Sequence, residues 1–477
     1  MKETPQGQYE LGMVGLGVMG RNFLLNIADH GFAVAGYDKD PAKVAALRHE
    51  ARQGDVRGVA DPKAFTALLR HPRAILLLVP AGPPVDSVIK DLLAHLQPGD
   101  LIIDAGNSYF KDTDLRARML GEKGIQLLGV GVSGGEEGAR HGPSIMPGGP
   151  NEAYERVRPI FEAAAAKVNG EPCVTYLGPG SAGHFVKMVH NGIEYGVMQL
   201  IAETYDLMKR GLGLSDDELH ELYTGWNQGE MEGYLLEITG HIFATKEGKT
   251  GPNLIDVIRD VAGQLGTGMW TSQSALELQV PIPTIDSAVA MRNLSVLEAE
   301  RTAASAALHR PTPPFSGDRE AFLKQLSSAL LAGTIITYAQ GFALLAAASG
   351  KLGYNLDLSA VAGIWRGGCI IRAAVLEDIR GAYQRQPRLP NLLLDPGLAQ
   401  RIMAHQEDLR GVVRTASQLG LPAPAMMTAL GYLDGYRSAW LPANLIEAQR
   451  DYFGAHTYER MDAKGAFHTS WEDAQAE

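Results

Sequence analysis

An α/β domain of alternating strands and helices, then a large all-α domain and a short C-terminal tail, is the fold class this sequence predicts. Three observations predict it. A Gly-x-Gly-x-x-Gly turn, Gly15-Leu16-Gly17-Val18-Met19-Gly20, stands between an apolar strand and a helix. Strand and helix patterns alternate from there to about residue 130. From about Ala182 the strand signals fade and helical periodicity dominates to about Ser438. The boundaries drawn on this basis are 1–181 for a dinucleotide-binding domain of Rossmann type, 182–438 for the helical domain, and 439–477 for the tail.

Leu11–Val14 reads as the first strand, the helix after the glycine turn runs to about His30, and a second apolar strand from Ala33 to Tyr37 ends at Asp38. A lone glycine motif is weak, but strand, motif, helix and a terminal acid in that order point to a dinucleotide. Gly15 permits the tight turn, Gly17 lets a pyrophosphate approach the backbone, and Gly20 lets helix pack on strand. The helix N-terminus then offers amides and its dipole to the phosphates. The rhythm continues through a helix from Pro41, a strand Ala74–Val79, a helix from Val85, a strand Leu101–Asp104, a helix from Thr113 and a strand Ile125–Gly129. This is the pattern of a doubly wound parallel sheet, whose ligands sit beyond the carboxyl ends of the strands. The candidates there are Val79-Pro80-Ala81, Gly106-Asn107-Ser108 and Val132-Ser133-Gly134-Gly135, the last offering a hydroxyl and bare amides to a carboxylate. Asp38 can hold both ribose hydroxyls and repels a 2′-phosphate; Asp40 adds to the repulsion and Lys39 only partly offsets it. NAD is the expected cofactor, with NADP possible through Lys39.

The chain has 477 residues, 45% hydrophobic and 20% charged, with a formal net charge of -11. That balance is ordinary for a globular protein and argues against nucleic acid or an anionic membrane as the main partner. Cys173 and Cys369 are far apart in sequence and in no metal-ligand spacing, so neither a disulfide framework nor a zinc site is expected, and a reducing compartment fits best. Met1 to Gln8 holds no apolar core of a signal peptide. The run Leu330–Gly350, interrupted by threonines, Tyr338 and Gln340, reads as a buried core helix rather than a membrane span.

The helical domain opens on the most informative stretch. Ser181 is a plausible N-cap for a helix from Ala182, and on that helix Lys187, His190, Asn191, Glu194 and Tyr195 fall on one face. Phe185, Val189, Gly192, Ile193 and Gly196 cover the opposite face, where the two glycines admit another backbone. An amine, an imidazole, an amide, a carboxyl and a phenol on one stripe are what proton-transfer chemistry uses. A solvated helix face is the plain alternative, but Lys187 and Glu194 are too far apart for the usual supporting ion pair. Further on, the glycine-rich Gly263–Thr271 turn reads as more than packing, and Arg292 in an apolar segment requires an anionic partner, internal or bound. Tyr195 to Trp226 loosely echoes Tyr338 to Trp365, a hint of duplication in which the second copy has no counterpart of Lys187, His190 or Glu194. The tail, rich in aromatic and ionisable residues from Ala448 to Tyr458, is expected to be loose unless it docks, on a partner subunit or on its own chain.

Taken together, Gly15–Gly20 with Asn22, Ile103–Ser108, Val132–Ala139, the Lys187 helix, the Gly266-Thr267-Gly268 turn, Arg292 and Arg450–His456 resemble the decarboxylating 6-phosphogluconate dehydrogenase family over nearly the whole chain. The resemblance implies oxidation of 6-phospho-D-gluconate at carbon 3 and loss of carbon dioxide to give D-ribulose 5-phosphate, in a cytoplasmic homodimer with shared active sites. Lys187 would be the general base and Glu194 the acid that protonates the enediol. Asn107, Ser133, Gly134, Gly135, His190 and Asn191 would hold the carboxylate and hydroxyls. Tyr195, Thr267, Arg292 and, from the other subunit, Arg450 and His456 would hold the phosphate end. No metal is implied, since the ketone is the electron sink. Lys187 must then be neutral with substrate bound, its pKa lowered by desolvation and nearby positive charge. The chain departs from the family at Leu265 and Met269, where lysines flank the Gly-Thr-Gly turn, and at Pro80, where a lysine lies near the nicotinamide. Its Asp38-Lys39-Asp40 replaces the Asn-Arg-Thr of NADP-using members. Two alternatives follow: the same chemistry on another six-carbon sugar acid, such as a sulfogluconate, and a nucleotide-binding sensor without turnover.

Overall fold

The structure, a computed structural model, describes residues 8–51, 54–248 and 251–471. The chain divides into two compact units between Ala429 and Leu430.

The first unit begins with β1 (Leu11–Val14), α1 (Val18–Asp29), β2 (Val34–Tyr37), α2 (Pro41–Glu50), β3 (Val56–Val59) and α3 (Pro62–Leu68). There follow β4 (Ala74–Leu77), α4 (Pro83–Leu93), β5 (Leu101–Asp104), α5 (Phe110–Gly121), β6 (Gln126–Ser133), α6 (Gly135–His141), β7 (Ser144–Gly148) and α7 (Asn151–Ala164). The seven strands form one sheet in the order β3-β2-β1-β4-β5-β6-β7. Six are parallel; β7 returns antiparallel to β6, with Ser133 opposite Ser144. The expected all-parallel sheet is thus corrected at its edge: β7 follows the single short helix α6, so no long crossover turns the chain back to parallel. The strand order reverses between β1 and β4, which opens the crevice beside the glycine turn. Alternate residues of the strands feed two cores, one holding Leu11, Met13, Leu76 and Ile103, the other Val14, Ile75, Leu77 and Ile102. Burial on both faces explains why these strands read as continuous apolar runs.

The 25-residue α8 (Ala182–Asp206) follows, then α9 (Asp216–Trp226), α10 (Tyr234–Ala244), α11 (Thr267–Leu278), α12 (Pro283–Ser295), α13 (Glu298–Ala307), α14 (Arg319–Lys351), α15 (Leu358–Ile364), α16 (Val375–Arg385) and α17 (Pro396–Leu419). α8 packs on β6 and β7 with one flank and on α11, α12 and α14 with others. That position makes it the joint between sheet and helices. α14 is, among the described residues, the one helix long and apolar enough to cross a membrane, and 83% of its most apolar window is buried inside the protein. The suspected duplication has a structural counterpart. Each long helix, α8 and α14, leads to a glycine of positive φ (Gly213 at 72°, Gly353 at 71°), then to a helix N-capped by a side chain, Ser215 or Asp357.

α18 (Pro424–Tyr436) spans the division between the units. In the second unit α19 (Ala443–Gly454) is followed by a two-strand ladder pairing Tyr458 with Phe467. Asp451 organises it. Its carboxylate is fully buried and accepts hydrogen bonds from the Thr457 and Thr469 amides, His468 Nδ1 and Trp471 Nε1, at 2.8–3.0 Å. Burial alone would raise its pKa, but these donors outweigh it and hold the group at about 2. The tail, expected to be loose unless it docks, carries an internal scaffold of its own.

Candidate active site

The glycine turn has the geometry a pyrophosphate needs. Gly15 has φ 95°, and a Cβ there would meet the Leu78 carbonyl at 2.5 Å. A Cβ on Gly20 would lie 1.9 Å from the Gly15 carbonyl, so helix and turn touch only through glycine. A Cβ on Gly17 would meet nothing within 4 Å, which marks the open side of the turn. Leu16 is buried, Met19 half-buried, and Val18 exposed at the mouth of the turn. The Leu16 amide donates to Asp38 Oδ2 at 2.8 Å, tying the end of β2 to the turn. Lys39 points elsewhere: its Nζ lies 2.7 Å from Asp91 Oδ2. Val79 and Ala81 are half-buried, Pro80 and Asn107 exposed, all on loops leaving the carboxyl edge of β4 and β5. These residues fit a dinucleotide at the carboxyl edge of the sheet.

Across that edge stands the front face of α8. Its Ser181 N-cap makes no side-chain cap bond. The hydroxyl instead donates to Asp114 Oδ2 at 3.0 Å and contacts Tyr354 Oη at 2.9 Å, correcting the expected cap. The glycines act differently from expectation as well. Gly192 and Gly196 admit the side chains of Thr271 and Thr337, whereas close backbone approach occurs at Gly183, whose Cβ would lie 2.2 Å from the Gly129 carbonyl. One turn on, a Cβ on Gly131 of β6 would strike Lys187 Cβ at 2.3 Å. The stem of Lys187 is therefore laid directly on the sheet.

Lys187 is 5% exposed. Its Nζ donates to Asn191 Oδ1. His190 is fully buried, with Nε2 3.2 Å from Ser133 Oγ and Nδ1 3.1 Å from Asn191 Oδ1. Asn191 Nδ2 donates to Thr267 Oγ1 at 3.1 Å, and Glu194 Oε2 lies 3.8 Å from His190 Nδ1. One hydrogen-bonded chain so joins the end of β6, the face of α8 and the start of α11. Burial lowers the pKa of Lys187, while Glu194 and Cys369 pull the other way. Burial raises Glu194 against the opposing pull of Lys187 and Arg292. Burial and then Lys187 drive His190 far down, so its ring is neutral. With Nδ1–H donating to Asn191, Nε2 accepts from the Ser133 hydroxyl.

The far end of the face is cationic. The Arg292 guanidinium lies 3.5 Å from the centre of the Tyr195 ring and donates from Nη1 to the Gly263 carbonyl at 2.9 Å. No carboxylate lies within ion-pair distance of it among the described residues, though its charge acts on Glu194, so internal and bound partners both remain open for this arginine. Gly268 is a packing glycine, since its Cβ would fall 2.4 Å from the Tyr195 ring. Leu265, beside the turn, is 88% exposed, and Met269 is partly exposed.

Ser133 and Gly134 meet a loop the sequence did not single out, residues 365–371. A Cβ on Gly134 would lie 2.6 Å from the Gly368 carbonyl, and the Trp365 ring packs edge-on against His190 with centroids 5.5 Å apart. The glycine pair inside a helical stretch, Gly367-Gly368, was the signal available. Gly135, at the start of α6, is exposed, with φ 62°. In the second unit, Arg450 Nη1 lies 2.8 Å from Glu447 Oε1, and the His456 ring stands edge-on to Phe453.

Comparison with known proteins agrees with this layout. Residues 10–178 match the family described as the NAD binding domain of 6-phosphogluconate dehydrogenase, and residues 183–471 match its C-terminal domain. An NADP(+)-dependent decarboxylating 6-phosphogluconate dehydrogenase of Bacillus subtilis is 52% identical over 97% of this chain and 99% of its own. A decarboxylating 6-phosphogluconate dehydrogenase of Synechocystis is 50% identical over 97% of each. The solved Plasmodium falciparum 6-phosphogluconate dehydrogenase, studied with NADP+ and with 6-phosphogluconate, superposes with a TM-score of 0.93 at 42% identity, covering 97% of this chain and all of that one. With both halves of the chain matched and half its residues identical to full-length relatives, this protein belongs to the 6-phosphogluconate dehydrogenase family.

Proposed function

We propose that the chain converts 6-phospho-D-gluconate to D-ribulose 5-phosphate and carbon dioxide while reducing a nicotinamide dinucleotide. The observation that carries this reading is a buried amine held toward neutrality and a buried carboxyl held toward protonation on one helix face, beside the carboxyl edge of a nucleotide-binding sheet. The bound nicotinamide supplies the hydride acceptor. Lys187 takes the proton of the carbon-3 hydroxyl as the C–H bond breaks, leaving a β-keto acid. The carbon 1–carbon 2 bond then breaks with release of carbon dioxide, its electrons passing to the carbonyl, and Lys187 returns its proton to that oxygen. Glu194 delivers a proton to carbon 2 of the resulting enediol, which becomes carbon 1 of the product. Ser133, Gly134, Gly135, His190, Asn191 and Asn107 hold the carboxylate and hydroxyls, and Tyr195, Thr267 and Arg292 the phosphate end. With a domain division at residue 181, the sheet domain holds the cofactor and the carboxylate end of the substrate, and the helices hold the rest of it.

NAD is the preferred cofactor in this proposal. Asp38 is already fixed to the turn by Leu16, where a 2′-phosphate would meet its charge, and Lys39 is engaged by Asp91. Lys39 and Lys43, both exposed at that edge, allow NADP a weaker hold; the NADP(+) dependence of the Bacillus relative weighs on that side. The enzyme acts as a cytoplasmic homodimer, with Arg450 and His456 reaching the partner's phosphate site. The apolar residues that the second unit exposes, among them Trp440, Leu445 and Phe453, favour a docked tail.

A spectrophotometric assay of 6-phosphogluconate with each cofactor, with carbon dioxide measured in parallel, tests the proposal. Turnover faster with NAD supports it, and no cofactor reduction overturns it. Exposed Leu265 and Met269 favour a second reading, the same chemistry on a six-carbon acid with a less charged group at carbon 6. Negligible turnover of the phosphate with robust turnover of a sulfogluconate would establish that one.

A further inference from the structure

The mechanism leaves a buried ionic cluster beside the cofactor loops without a role. Arg116, in the middle of α5, has 4% of its side chain exposed. Nε donates to Asp86 Oδ1 at 2.7 Å, and Nη2 donates to Asp86 Oδ2 and to the Gly82 carbonyl, both at 3.1 Å. Nη1 donates to Ser108 Oγ at 3.4 Å and lies 3.6 Å from Asp104 Oδ2. Asp104, the last residue of β5, also accepts from Ser108 Oγ at 2.6 Å and from the Gly106 amide at 3.2 Å. Gly82 and Asp86 open α4, directly after Val79-Pro80-Ala81. Gly106 and Ser108 flank Asn107. Because β4 and β5 are adjacent parallel strands, in register from Ala74 and Leu101 to Leu77 and Asp104, these two loops leave the same edge of the sheet side by side. One guanidinium grips both.

We propose that Arg116 is a positioning residue for hydride transfer: by clamping the 79–82 loop to the 106–108 loop, it sets the distance between the bound nicotinamide and the carbon-3 hydrogen of the substrate. The inference rests on the proposed activity and adds to it a residue that touches neither reactant. Three physical points support it. A buried guanidinium is a poor way to fill space, because a well-packed apolar side chain of similar volume serves at least as well for stability alone. Its planar fork addresses a carboxylate, a carbonyl and a hydroxyl in fixed directions, which a lysine ammonium on a flexible stem does not reproduce. The groups it holds belong to loops, where the sheet's rigidity ends, and a displacement of about 1 Å between reacting groups costs on the order of a hundredfold in rate. Asn107 itself is exposed, so its placement comes from the bonds on either side of it.

The test uses the full-length protein with 6-phosphogluconate carrying hydrogen or deuterium at carbon 3. Arg116→Lys and Arg116→Gln are expected to lower kcat about tenfold to a hundredfold with KM for both reactants changed less than about threefold. The primary deuterium isotope effect on kcat should rise in both, because a misplaced donor and acceptor make hydride transfer the slow step. A purely structural role predicts a kcat lowered only in proportion to folded enzyme, with an unchanged isotope effect, and that result overturns the proposal. If the Arg116 variants do not fold, Asp86→Asn decides: its carboxyl is 58% exposed, it removes the outer half of the clamp, and an isotope effect equal to that of the unaltered enzyme again overturns the idea. Failure of the unaltered protein to oxidise 6-phosphogluconate at all would instead sink the proposed function, and this inference with it.

Discussion

Lys187 shows how a side chain of ordinarily high basicity is pushed toward its neutral form. Its stem lies on Gly131, its amine reaches Asn191 Oδ1, and burial pushes its pKa down. In the proposed reaction the amine must start neutral, so turnover falls as pH drops through that lowered value. Glu194, pushed up by burial, must hold a proton to give it away, so turnover also falls as pH rises through its value. The expected profile of kcat against pH is a bell with the amine on the acid side. Lys187→Met should cut kcat by about 10²–10⁴-fold, the usual worth of a general base, while NAD still binds by fluorescence titration. Glu194→Gln should slow release of the final product more than hydride transfer and remove the alkaline limb; an alkaline limb that persists assigns it to another group.

At the scale of elements, the tail makes a separate prediction. Asp451 has a folded pKa of about 2, below its unfolded value. A depressed carboxyl contributes stability that is fully present above the unfolded pKa and lost as pH falls toward the folded one. The second unit should therefore come apart between about pH 4 and 2. The indole N–H resonance of Trp471, which donates to Asp451, reports this directly, and Asp451→Asn, which cannot ionise, should weaken the unit at all pH and abolish this transition. The sequence made the sheet legible because strands buried on both faces read as apolar runs, and α8 legible because its polar residues recur at helical spacing. β3 and α3 escaped notice: Val56–Val59 is a short edge strand with an exposed arginine, and α3 is seven residues long. The Asp451 scaffold was hidden for another reason. Its donors come from residues 6 to 20 positions downstream, and no local pattern announces them. The face of α8 could be drawn from spacing alone, but the 365–371 loop behind it could not, since its bond to Ser133 spans more than 230 residues.

For the whole molecule, the sharpest expectation concerns shared sites. If the tail of each subunit completes the other's phosphate site, a dimer mixing Lys187→Met with Arg450→Ala contains one site carrying both defects and one carrying neither. Random re-association of the two variants should then restore about a quarter of normal activity, although Lys187→Met alone is expected to keep no more than about a hundredth of it. Intrachain docking of the tail predicts no restoration beyond the residual rate of Arg450→Ala. This expectation depends on assembly, which spacing and periodicity in a single chain do not encode.

The contact between Gly131 and Lys187 bears on how such an enzyme can be recombined. The chain passes from sheet to helices near residue 181, an inviting place to splice halves of different relatives. Yet the Lys187 methylenes rest on a strand of the other half, at a spot where even one extra methyl group would collide. The two halves therefore have to be inherited as a matched pair, and a hybrid drawn from relatives that differ at position 131 would assemble with its amine out of line, whatever the quality of the splice.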